Sequence, residues 1–386
     1  MGNDGGARRP ELAVARWTDY LSALQARWPR LFVAAGNLES RMLAERLADL
    51  RVTMPVFVSG LARSGTTILL ELLARHPAAA THRYRDFPPV LVPWYWNRFL
   101  AHAGAHDRAP AERAHGDGIL VTAESPEAFE EVVWMSFFPA LHDPARSAVL
   151  DGSTSHPAFE RFYREHLRKL LLVRGGRRYV AKANYHLTRL RYLLKLFPDA
   201  RFVVPVRDPA AHIASLARQH ERFCREHARD PRLMRHMSRS GHFEFGQDRR
   251  PVNTGNAAMT REILARWARG DEIEGWALYW NDVYGHVADV LEADRRVRAA
   301  TLVVAHETLC RQPRETVHRV LAHCGLLAGG EALPGIAART LRPPPARQPF
   351  DTARRDRIAA LTAATRARLE RLAGTDAAAG LVSGPV

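Results

Sequence analysis

Cysteine and lysine are both scarce in this chain, and long apolar runs are missing. Its 386 residues include three cysteines, Cys224, Cys310 and Cys324. They are too few and too scattered for a disulfide framework or for metal-ligand spacing, and they read as free thiols. No stretch approaches the ~18 uncharged apolar residues of a membrane span. Behind Arg8 and Arg9 no apolar segment of a secretory signal follows. Met1-Gly2 lacks the Ser or Thr at position 6 of a myristoylation motif,. A cytoplasmic protein is expected.

Lys169, Lys182 and Lys195 are the only lysines among 56 basic residues, and the rest are arginine. With the abundant alanine, this skew reads as the codon bias of a GC-rich bacterial genome. The formal net charge of +15 invites a nucleic-acid partner. The arginines, however, are spread through amphipathic segments, where each has a solvated-face explanation, and form no tract. No nucleic-acid partner is expected. The charge suits attraction of a polyanionic donor or an acidic acceptor.

The chain does hold 46% apolar and 25% charged residues, the balance of a globular protein able to bury a substantial core. Apolar positions at helical spacing (Leu12, Trp17, Tyr20, Leu21, Leu24, Trp28, then Leu43 and Leu47) predict a helical extension over 1–50. Buried strands are predicted at 55–58, 179–182, 201–206 and 301–305. Helices are predicted at about 126–138, 157–173, 187–196, 209–228, 257–294 and 313–324, with a final one over 351–373. The stretch 84–100, a polar loop around 103–118 with Gly104, Pro110, Gly116 and Gly118, and the segment 236–256 read as irregular. Pro343–Pro345 precede the last helix, and a small-residue tail closes the chain. Strands alternating with helices predict an α/β fold: a P-loop-like parallel sheet flanked by helices, in one large domain. The expected division is an N-terminal helical extension over 1–50, a catalytic domain over 51–345, and a C-terminal helix and flexible tail over 346–386.

The sequence Pro55–Leu70 carries the chemistry. An apolar run enters a turn bearing Gly60 and Gly65 and leaves into the helical pattern after Thr66. Strand, glycine turn and helix together aim backbone N–H groups at a phosphate. The nucleoside-triphosphate version is G-x-x-x-x-G-K-[ST]. Here the glycine spacing is kept, but Thr66 stands where the lysine belongs, and the loop's cation is Arg63. A plain strand–turn–helix corner is the alternative.

Arg63-Ser64-Gly65-Thr66-Thr67 after a strand resembles the 5′-phosphosulfate loop of the sulfotransferases, which use 3′-phosphoadenosine 5′-phosphosulfate (PAPS). A second segment supports the resemblance. The strand Val203–Val206 ends in Arg207-Asp208-Pro209, and Ser215 lies eight residues beyond Arg207. Arg and Ser at this spacing are similar to the family's 3′-phosphate motif; the alternative is an aspartate that merely caps a helix. Between the two motifs, Tyr179–Lys182 leads to Ala183-Asn184-Tyr185-His186. This resembles the strand-end lysine of bacterial and tyrosylprotein-type sulfotransferases, although relatives often have Ser-Pro-Glu where Ala183–Tyr185 stand.

The resemblance implies an enzyme that moves a sulfuryl group from PAPS to an acceptor hydroxyl or amine by in-line transfer, without a metal. Arg63, Ser64, Gly65, Thr66, Thr67, Arg207 and Ser215 would hold the donor, with Arg218 a possible helper on the face of Ser215. Arg63 and Lys182 would stabilise the transition state. Relatives carry a Glu about 23 residues beyond the loop arginine, which here falls on Asp86. Asp86 is therefore the expected base, unless it caps a helix opening at Pro88-Pro89. His186, Glu124, Glu130 and Glu131 compete for the role, although Glu130 and Glu131 read most simply as the charged first turn of a helix. Trp94, Tyr95, Trp96, Phe99, Phe129, Trp134, Phe137 and Phe138 could line an acceptor pocket or belong to the core. The acceptor would be a small molecule, glycan or lipid. A P-loop kinase using ATP and magnesium, or a non-catalytic nucleotide or nucleic-acid binder, are the rival readings. His306 and Glu307 follow the last strand and read as structural, and residues 242–250 have no assigned role.

Overall fold

The computed structural model describes residues 14–103, 111–112, 120–342 and 349–379. Most of the polar loop expected around 103–118, Pro343–Pro345 and the end of the small-residue tail lie outside the described residues. In chain order the strands are β1 Val56–Val58, β2 Ala79–Ala80, β3 Ala111–Glu112, β4 Leu120–Val121, β5 Arg178–Lys182, β6 Arg201–Val206 and β7 Thr301–Ala305. Five of them form one parallel sheet in the order β2-β5-β1-β6-β7, while β3 and β4 make a separate antiparallel pair.

A parallel sheet must be covered on both faces, so its strands are apolar throughout and not alternating. Successive side chains nonetheless point to opposite sides. Phe57, Ala181, Phe202 and Val204 enter one core, packed by the helices Pro157–Arg174, Pro209–Arg229 and Glu272–Ala293. Val56, Val58, Val180, Val203 and Val304 enter the other, under the helices Thr66–Ala74, Pro313–His323 and Leu333–Thr340. Because all five strands run the same way, the residues that follow β1, β6 and β7 and that end β5 share one edge of the sheet. In open α/β sheets that carboxyl edge is where ligands bind.

The helices Arg16–Arg27 and Pro29–Met42 pack against Pro231–Arg239 and Pro157–Arg174. Lys169 anchors the second of them. It is fully buried, its Nζ lies 2.8 Å from Glu39 Oε2, and it donates to the Gly36 carbonyl at 2.9 Å. Gly36 fits there because a Cβ would stand 2.6 Å from the Leu91 carbonyl oxygen.

Two segments expected to be irregular are partly helical. Residues 84–100 contain the start of a helix, Pro93–His102. Of the prolines read as breakers, Pro93 occupies the first helical turn, where proline's missing N–H has no intrahelical partner to lose. The segment 236–256 begins inside the helix Pro231–Arg239, which Asp230 caps by accepting from the Arg232 amide.

Candidate active site

The loop after β1 is held from three sides. The Ser59 hydroxyl donates to the Ala183 carbonyl at 2.7 Å, and the Ala183 amide donates to the Val58 carbonyl, tying the loop's start to the end of β5. A Cβ on Gly60 would stand 2.7 Å from Ser64 Oγ and 3.0 Å from the Pro205 carbonyl oxygen, so only glycine fits. Behind the loop lies His212, fully buried. Trp280 Nε1 can only donate, so at 3.2 Å it fixes His212 Nδ1 as an acceptor; Nε2 then carries the proton and donates to the Ala62 carbonyl at 2.8 Å,. Burial pushes His212 down to about 3 even against the Ala62 bond, and Arg207 adds to the shift. It is a neutral brace.

Arg63 sits in the left-handed region (φ 71°), as does Gly65 (φ 107°), which precedes the helix Thr66–Ala74 with no side-chain cap. A non-glycine residue at positive φ is strained, and such strain collects at ligand sites. The conformation lets Arg63 Nε donate to Ser215 Oγ at 3.3 Å, while Arg207 Nη1 donates to the Arg63 carbonyl at 3.3 Å. Residues of two motifs about 145 residues apart in the chain therefore meet, because β1 and β6 are neighbours and the helix bearing Ser215 starts directly after Arg207.

This cluster is short of negative charge. Burial lowers the pKa of Arg207, partly countered by Glu307, and the charges of Arg63 and Arg218 lower it further. Arg207 Nε is buried without a hydrogen-bond partner among the described residues. A buried unpaired donor is expensive to leave unmade, and a phosphate oxygen would satisfy it. The cavity beside it, about 320 Å³, is lined by Arg63, Gly65, Thr66, Thr67, Ile68, Arg207, His306, Thr340 and Leu341. His306, read from the sequence as structural, lies so close that a Cβ on Gly65 would come within 2.9 Å of its ring. Burial lowers His306 to about 4, helped by Arg207 and Arg63. A wider cleft of about 830 Å³ opens on the other side of Arg207, past Arg218, Arg311 and Arg366.

Lys182 ends β5 opposite Val58, almost buried, on the other flank of the loop. Around it gather groups from segments to which the sequence assigned no role. Asn184 Nδ2 donates to Glu244 Oε1 at 2.6 Å, and His242 Nδ1 lies 3.5 Å from Glu244 Oε2. Burial raises the pKa of Glu127, but the charges of Lys182 and His242 outweigh it and hold the carboxyl below its usual range. Glu244 is lowered to about 2 by His242, Lys182 and Asn184 against the same burial penalty. His242 is raised, with Glu244 and Glu127 overcoming its desolvation. His242 and Glu244 thus bring the start of the segment 242–250 into the field of Lys182.

Asp86, the carboxylate expected to act as base, lies inside the protein. Asp86 is fully buried, and no helix opens at Pro88-Pro89. Arg174 Nη2 reaches both its oxygens, at 2.5 and 2.6 Å, Asn97 donates to Oδ1 at 2.9 Å, and the Arg83 amide donates to Oδ2 at 2.8 Å. Despite burial, His82 and Arg174 keep it far below the usual carboxylate range. A saturated, sealed carboxylate has no lone pair to offer an acceptor. The other candidates are engaged as well. His186 is buried with Nε2 3.0 Å from Glu130 Oε2, and Glu124 is bound by Arg83 and Arg85.

Glu130 and Glu131 are not a solvated first turn. Glu130 accepts from Tyr163, Tyr179 and Trp134 and meets His186. Glu131 pairs with Nη1 and Nη2 of Arg189 and with His142. Trp134 and Phe129 are core, whereas Tyr95 and Phe99 face outward.

The sequence profile of the sulfotransferase family matches residues 55–252, just over half of the chain and every motif described above except His306. The chain belongs to the sulfotransferase family. No curated protein matches it significantly. Among solved structures it is similar to the sulfotransferase STF9 from Mycobacterium avium, at 20% identity over 92% of this chain and 86% of that one, TM-score 0.50. It is also similar to the sulfotransferase STF1 from Mycobacterium tuberculosis H37Rv, at 19% identity over 88% and 86%, TM-score 0.44. The likeness to STF9 speaks for the fold alone, the α/β sulfotransferase fold with its parallel sheet. Among the described residues, no helix of this sulfotransferase is long and apolar enough to cross a membrane.

Proposed function

We propose that the chain transfers a sulfuryl group from PAPS to an acceptor hydroxyl or amine, with the donor in the cavity beside Gly65 and the acceptor beside Lys182. The observation that carries this reading is the convergence of Arg63, Arg207 and Ser215 on one side of the loop, with the orphan Arg207 Nε among them. The donor supplies an activated sulfuryl group and a stable bisphosphate leaving group. Arg207 and Ser215 hold its 3′-phosphate, and the amides and hydroxyls of Ser64–Thr67 hold its 5′ end. Arg63 within the loop and Lys182 beside it counter the charge that builds on the bridging oxygen. Such work is positioning and preorganised electrostatics.

Glu127 takes the base role in place of Asp86. It is only partly buried and lies within the field of Lys182 and His242. Once the Lys182 ammonium is shared with the anionic donor, Glu127 is less stabilised as a carboxylate and becomes a better proton acceptor. His242 and Glu244 position this cluster. The kinase reading is disfavoured by Thr66 in the lysine's place.

Calorimetry with 3′,5′-adenosine bisphosphate, against ATP with magnesium, tests the donor. The bisphosphate should bind more tightly, and Arg207→Ala should lose about 1.5–3 kcal/mol of that affinity, roughly tenfold or more. Tighter ATP binding, or no response to Arg207→Ala, would overturn the assignment.

A further inference from the structure

Most of the large apolar side chains that the described chain leaves in solvent lie on three neighbouring helices, none of which carries a donor-motif residue. Leu31, Leu38 and Met42 recur at seven- and four-residue steps on Pro29–Met42 and are each at least half exposed. This makes one unpartnered apolar stripe along the helix. Trp17 and Tyr20 extend it on Arg16–Arg27, and Tyr95 and Phe99 on Pro93–His102. The three helices form one surface: the Tyr95 hydroxyl meets Met42 Sδ at 3.4 Å, and Trp17 packs on Trp96, which stacks on Phe99.

The charge on this surface has one sign. Arg16, Arg27, Arg30, Arg41 and Arg98 are exposed on the same helices, and none forms an ion pair among the described residues. The acidic residues there are already spoken for: Asp19 binds Arg235 and Arg239, and buried Glu39 binds Lys169. Arg98 lies over the Trp94 ring at 5.0 Å. Exposed leucine, tryptophan and tyrosine interleaved with unpaired arginine is the chemistry of a helix lying in the headgroup layer of an anionic bilayer. A second copy of the chain fits less well, because a two-fold contact would set this arginine row against itself.

We propose that the face built by Arg16–Arg27, Pro29–Met42 and Pro93–His102 docks the enzyme on an anionic lipid surface. The proposal is independent of the donor assignment. It is tested by co-sedimentation of the full chain with vesicles of phosphatidylcholine alone or mixed with phosphatidylglycerol. The expected result is binding to the mixed vesicles, at least about tenfold weaker on phosphatidylcholine alone and likewise weakened at about 1 M salt, where screening falls to about 3 Å. The double variant Leu31→Ser with Leu38→Ser should lose binding by a similar factor while keeping the parent's circular-dichroism spectrum and urea-unfolding midpoint, which confirms folding without reference to any nucleotide. No vesicle binding, binding indifferent to the double variant, or a dimer seen by light scattering that the double variant dissolves would each overturn the proposal.

Discussion

Two carboxylates that look alike in the sequence have opposite fates in the fold. Asp86 stands where relatives place their base, yet Arg174, Asn97 and the Arg83 amide occupy its lone pairs inside the protein. Glu127 keeps company with Lys182 and His242 at the partly open end of β5. Substitution separates the two roles. Asp86→Asn leaves the buried Arg174 guanidinium without its counter-charge and should cost about 3–5 kcal/mol of stability, read by urea unfolding. Glu127→Gln should unfold like the parent and bind 3′,5′-adenosine bisphosphate normally, while turnover falls by about 10²-fold or more. Full turnover by Glu127→Gln, or parental stability of Asp86→Asn, would reverse the assignment.

The glycine loop is the element whose shape everything else serves. His212, held by Trp280, pins it at Ala62, and Tyr284 donates to the Pro205 carbonyl beneath it at 3.1 Å. Gly65 is held at φ 107° against the His306 ring. Gly65→Ala should therefore lose stability twice over. The left-handed backbone costs a side chain about 1–2 kcal/mol, and the 2.9 Å approach to His306 adds a clash. Adding His306→Ala should recover the clash part and leave the backbone part, a coupling that a double-mutant cycle measures. Additive losses would mean that His306 does not crowd the loop.

At the scale of the whole molecule, buried histidines set the response to acid. Burial lowers His212 to about 3 and His220, His236 and His306 to about 4 in the folded chain. Unfolded, they take up protons near pH 6.5. Between pH 6.5 and about 4 the unfolded chain therefore binds more protons, and stability falls as pH falls, by up to about 1.4 kcal/mol per pH unit for each histidine. His242, raised by Glu244 and Glu127, acts in the opposite direction. Glu244 contributes outside this window: its stabilisation is complete above its unfolded pKa and is lost as pH drops through about 2. Urea unfolding at pH 7 and pH 5 should show a clear loss at pH 5; equal stabilities would contradict the reading.

By itself the sequence determined four of the five strands of the parallel sheet, the glycine loop and the kinship with sulfotransferases, because these are written in local patterns; the two-residue β2 was too short to leave one. The run Val56–Val58, the step from Gly60 to Gly65 and the placing of Ser215 two helical turns beyond Arg207 are all short-range features. It left open what a titratable side chain would meet, since partners come from distant segments. Glu130 and Glu131 look like an exposed acidic first turn until Tyr163, Tyr179 and Arg189 fold over them. The segment 242–250 carries no readable pattern, yet His242 and Glu244 reach Lys182 from about sixty residues away along the chain. Only the tertiary structure decided which carboxylate is sealed and which is open. A carboxylate's availability depends on the charges and donors packed around it, and packing is a property of the whole fold.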